Sequence, residues 1–146
     1  MSRLRPLLGL AAGAVLVVSS AMHSLLGWPG LHAALAAADT PADLVAALRI
    51  GWHFGGAMIL TFGLVALGTF AQRLRGRAAS TGALQAFAAA YTLFGVYALT
   101  TGDMNPFFLI FVGPGLMLLV ASGTAAPTPA PTTAPSAVPL GAGPTR

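Results

Sequence analysis

Three histidines and one aspartate are the residues in this chain best suited to chemistry: His23, His32, His53 and Asp103. Neutral imidazole is a good ligand for zinc, copper and haem iron, and two neighbouring helices can supply two axial ligands. His23 and His53 sit in apolar runs, where an ionisable group is costly and is a functional candidate by default. No two histidines stand one helical turn apart, so spacing alone does not build a metal site. The plainer reading is that His, Trp and Tyr belong at a membrane–water boundary, where an amphipathic ring meets both media. Trp28, Trp52 and Tyr97 fall at the level of the histidines and favour it. The expectation is therefore that no cofactor is required. The alternative is haem on His23 and His53, or a divalent metal among His23, His32, His53 and Asp103.

Arg49 lies one turn before His53 on the same helix face. It is expected to snorkel to the outer headgroups, or to pair with Asp43 or Asp103. Other chemistries find no footing. There is no cysteine, which excludes disulfides, thiolate metal sites and cysteine nucleophiles. Ser19, Ser20 and Ser24 lie near His23, but an all-helical chain offers no nucleophile elbow. No Gly-rich phosphate loop, His-Glu-x-x-His or nucleic-acid motif occurs. The chain is not expected to be an enzyme or to bind nucleic acid.

The elements that must position these residues are set by composition. The chain is 56% hydrophobic and 7% charged, with mean hydropathy +0.82. A soluble domain carries about 25% charged residues, so a lipid-facing surface explains this chain better. The expected fold is all-α, a transmembrane four-helix bundle with spans over about 7–28, 45–71, 82–101 and 106–122. Residues 1–122 form the membrane domain, and 123–146 form a disordered Pro/Ala/Thr-rich tail. Arg3, Arg5 and the small residues Ser19-Ser20-Ala21 imitate a signal peptide, but the apolar run continues through Leu25, Leu26 and Trp28. An uncleaved first helix is the expectation, ended by the turn signal Pro29-Gly30. Thr40-Pro41-Ala42-Asp43 reads as a helix start with Thr40 as N-cap. From there the second helix runs about 45 Å, long enough to project beyond the bilayer.

Gly9-x-x-x-Gly13 and Gly51-x-x-x-Gly55 are candidate close-approach faces, and Pro114 should kink the fourth span. Arg3, Arg5, Arg73, Arg75 and Arg77 fall on one side, and Asp39, Asp43 and Asp103 on the other. The positive-inside rule then puts both termini in the cytoplasm. Arginine without lysine, in a chain rich in Ala, Gly and Pro, points to a bacterial inner membrane.

His23-Ser24, a connecting segment, then Arg49-x-x-Trp52-His53 at a helix start resembles small four-helix membrane proteins of bacteria of the domain-of-unknown-function kind. The resemblance covers about residues 7–122 and implies an integral membrane protein; it carries no catalytic residue with it. The leading expectation is a non-enzymatic structural or accessory subunit in a homo-oligomer or larger membrane complex, with Arg49, Trp52 and the paired glycines as structural residues. A redox protein using His23 and His53, and a small-solute permease built as an oligomer, are the alternatives.

Overall fold

The computed structural model describes residues 3–123, so the tail expected over 123–146 lies, apart from Gly123, outside the described residues. Among the described residues five α-helices follow one another: α1 (Leu4–Met22), α2 (Trp28–Ala37), α3 (Ala42–Leu74), α4 (Gly82–Thr101) and α5 (Leu109–Ser122). A single π turn, His23–Gly27, joins α1 to α2, and a 3-10 turn, Pro106–Phe108, leads into α5. No strand occurs among the described residues. The all-α class is therefore as expected. Three helical stretches are long and apolar enough to cross a membrane: Leu4–Ala37, Ala42–Leu74 and Gly82–Thr101. Pro106–Ser122 is a shorter apolar helix.

Two local expectations are corrected. The first helix does not end at Pro29-Gly30 but runs through them to Ala37. Pro29 lacks an N–H, and its ring would crowd the carbonyl one turn back; here the wide π turn lies directly before it and relieves that crowding. The helix ends instead at Asp39, whose φ of 48° is left-handed. Asp39 N–H donates to Ala36 O and Thr40 N–H to Leu35 O, which satisfies the last carbonyls of α2. The second correction concerns the start of α3. The expected Thr40–Asp43 capping box does not form, and Pro41 caps α3 without a side-chain bond. α3 begins at Ala42, so Thr40 stands one residue before the capping position and Asp43 falls too early in the first turn to close the box.

The helices pair antiparallel. α1 runs along α3, α5 runs along α4, and α1 also lies against α5. α3 and α4 meet briefly, where the Phe62 and Phe87 rings stack at 4.0 Å. Between α1 and α3 the backbones approach closely. A side chain on Gly13 would come within 3.1 Å of Gly63 O, and one on Gly63 within 3.0 Å of the Val17 nitrogen. Gly9 leaves room for the Phe70 ring. Gly51 was expected to mark such a contact and does not: nothing lies within 4 Å of where its side chain would be. The close approach on α3 falls at Gly56 and Gly63, which stand two turns apart and so share one face. Between α4 and α5, Gly95 faces Phe111 and Val112, and Gly115 faces Thr92 and Ala88. Pro114 is buried in the middle of α5 and leaves Ile110 O without its helical donor.

Candidate functional site

The π turn places His23 against α3. An inserted residue rotates everything after it by about 100° relative to an uninterrupted helix. The His23 and Trp52 rings lie parallel, 4.1 Å apart with 6° between their planes. Each ring also bonds the other residue's backbone. The Trp52 indole N–H donates to His23 O at 2.8 Å, and His23 Nε2 lies 3.0 Å from Trp52 O. A carbonyl can only accept, so His23 Nε2 carries a proton. One turn below, the buried Ser20 hydroxyl donates to Gly56 O at 2.7 Å. Ser24 Oγ fills the space beside Gly56, and Gly27 leaves room for the Trp52 ring. A side chain on Gly55 would start 3.8 Å from His23 Nε2, an ordinary van der Waals distance.

Beyond this clasp, α2 and the start of α3 run on as two arms. Trp28 is the centre of what lies between them. It stacks on His32 at 5.7 Å, meets His53 at 5.8 Å and Trp52 at 6.5 Å. On α3, Ala42, Val45, Ala46 and Arg49 face Trp28 and His32 across an open cleft of about 210 Å³. These positions recur every three or four residues and so form one stripe, which His53 continues.

His23, His32, His53 and Asp103, the alternative metal set, are not drawn into one group among the described residues. No group of three or more His, Asp or Glu close enough to hold a metal ion occurs among the described residues. His23 is engaged with Trp52, and His32 and His53 lie on Trp28. A metal or haem held through His23 Nε2 would have to displace the Trp52 carbonyl. Asp103 stands in the turn after α4, an element without contact to α2 or the π turn. Its role there is conformational. With φ 51° it takes the left-handed position that ends α4, where Met104 N–H reaches back to Leu99 O. Arg49 likewise does not meet its expected partners, since neither Asp43 nor Asp103 lines its cleft. Asp43 lies in the first turn of α3, and Asp103 in the turn after α4.

The opposite end of the helices carries a separate polar group. Arg73 donates to Ala79 O through Nε at 3.2 Å and Nη2 at 2.9 Å, and its guanidinium lies 5.9 Å from the Phe70 ring centre. Thr81 and Gln85 both donate to Ser122 O, at 3.2 and 2.8 Å. Arg5 donates to Gly123 O at 3.4 Å. These bonds satisfy backbone carbonyls at the end of α5 and in the connection between α3 and α4.

Ser20, Gly27, Trp28 and Gly56 were not singled out from the sequence as site residues. The signal that finds them is spacing by two turns: Gly13, Ser20 and Gly27 on one strand of the pair, Gly56 and Gly63 on the other. A search for small residues one turn apart passes over that pattern. No protein-family description, curated protein or solved structure matches the chain.

Proposed function

We propose that the chain is a four-span integral protein of a bacterial inner membrane, with both termini in the cytoplasm. It acts as a non-enzymatic accessory subunit through helix packing. The observation that carries this reading is the use made of the polar groups near the histidines. His23, Trp52 and Ser20 spend their hydrogen bonds on the backbone of the facing helix. Interhelical bonds of this kind contribute about 1 kcal/mol each. Meanwhile Val18, Leu60, Leu64, Leu93, Val96, Leu116 and Val120 point outward, a surface suited to lipid or to other helices. The fourth span, Pro106–Ser122, is short, and its antiparallel seat on α4 supports counting it.

The natural absence of cysteine makes the topology simple to test. Single cysteines replacing Arg75 and Ala38 should label from opposite faces of sealed inner-membrane vesicles. Equal labelling from one face overturns the four-span arrangement. Protein purified in mild detergent after haem- and metal-replete expression should show no Soret band and no stoichiometric metal, and should migrate as a complex larger than one chain. A Soret band lost on His23→Ala replaces the accessory reading with the redox one.

A further inference from the structure

We infer that the cleft between α2 and the start of α3 binds a phosphate group, carried by a phospholipid headgroup or by a small soluble phosphate ester. Arg49 is the only arginine among the described residues at this end of the helices; Arg3, Arg5, Arg73, Arg75 and Arg77 lie at the other. Arg5 and Arg73 are occupied with backbone carbonyls, whereas Arg49 lines the cleft with no hydrogen bond or ion pair to a described residue. A guanidinium is a planar fork matched to two phosphate oxygens. His32 faces the same space and adds a second ring donor when it presents an N–H.

The space itself is set by small residues. Ala42 and Ala46 leave the cleft open where longer side chains would fill it, and Trp28 forms its apolar wall. Its volume of about 210 Å³ lies below the roughly 300–1,000 Å³ of sites that enclose drug-sized ligands. It suits a headgroup phosphate with its first few carbons. No carboxylate lines the cleft to compete for Arg49. Leu25 and Leu26, exposed on the π turn just before α2, offer apolar surface to an acyl chain running back along the span. A basic pocket between helices at a membrane face is a recurrent setting for lipid headgroups.

The test uses the full chain in dodecylmaltoside micelles, titrated by calorimetry with three probes: dihexanoylphosphatidylglycerol, dihexanoylglycerol and inorganic phosphate. The phosphatidylglycerol should bind saturably and the phosphate-free dihexanoylglycerol should not. Arg49→Gln should weaken binding about tenfold, the loss expected when a charged hydrogen-bond donor is removed. Ala46→Phe should abolish binding by filling the cleft. Circular dichroism on both variants should match wild type, since each change lies on an exposed position. Inorganic phosphate binding as tightly as the lipid assigns the source to a soluble ester. Binding at least tenfold weaker than the lipid assigns it to the headgroup. Equal binding of dihexanoylglycerol, or unchanged affinity in Arg49→Gln, overturns the phosphate site.

Discussion

The α1–α3 pair and the α4–α5 pair solve one packing problem in the same way and then diverge. In each, small residues let two antiparallel backbones come together: Gly13 with Gly63, and Gly95 with Val112. The α4–α5 pair adds hydrogen bonds only where a helix end needs them, at Ser122 O. It closes at its other end in a turn shaped by Asn105, whose side chain accepts from the Phe107 N–H at 2.9 Å. The α1–α3 pair interposes the His23–Trp52 clasp and then continues past it as two arms around a cleft. Backbone satisfaction accounts for the side-chain hydrogen bonds that close the α4–α5 pair. It does not account for Trp28, His32 and Arg49, which line the cleft beyond the α1–α3 clasp.

The comparison is broken most directly at the glycines. Gly63→Leu drives a side chain into Val17 and the Gly13 carbonyl, and Gly95→Leu drives one into Phe111 and Val112. Each should destabilise the protein by about 3 kcal/mol, as overpacking of a tight contact does. Unfolding in mixed dodecyl sulfate–maltoside micelles, followed by circular dichroism, measures it. Gly51→Leu, with open space around it, should stay within about 0.5 kcal/mol of wild type. A large effect at Gly51 with none at Gly63 would exchange the two faces of α3 and undo the pairing described here.

The clasp comes next. Trp52→Ala removes a stacked ring and a 2.8 Å hydrogen bond together, and should cost about 2 kcal/mol. Trp52→Phe keeps a ring on His23 and loses only the indole donor, so about 1 kcal/mol is expected. In the other pair, Gln85→Leu should cost about 1 kcal/mol or less, because Thr81 still donates to Ser122 O. The same micelle titration ranks the three. If Gln85→Leu proves as damaging as Trp52→Ala, the two pairs are closed with equal strength and the clasp loses its distinction.

Much of this was legible before the structure. Composition and run length point to an all-helical chain with membrane-crossing helices, because lipid leaves the backbone few alternatives to helix. The length of α3 was readable too, from Pro41 and Arg73 at its ends. What the sequence hides is rotation. A π turn has no residue signature of its own, so nothing in HSLLGWPG announced that the helix would pass through Pro29. Once the helix continues, His32 rides with Trp28 on an arm beside α3 instead of in a connecting segment, and the alternative cluster of His23, His32, His53 and Asp103 is not assembled among the described residues. The glycine faces were half legible. Gly9 and Gly13 do face α3, while on α3 the true contact lies one residue past Gly55, at Gly56.

The smallest effect separates two accounts of Asp103. As a ligand or ion-pair partner, its carboxylate would matter and its backbone would not. The structure gives the opposite: φ is 51°, Met104 follows at 57°, and the backbone there closes α4 through Leu99 O. An L-residue in that region sits roughly 1–2 kcal/mol above its preferred conformations, a penalty that aspartate reduces and glycine escapes. Glycine in exchange gains freedom in the unfolded chain, which offsets part of the benefit. Asp103→Gly should therefore leave stability unchanged or raise it by about 0.5 kcal/mol, whereas Asp103→Val should lower it by about 1 kcal/mol or more. Equal losses in both variants would mean the carboxylate itself is used. The turn of the α4–α5 pair would then hold a polar site of its own, and the contrast between the two pairs would narrow to the clasp alone.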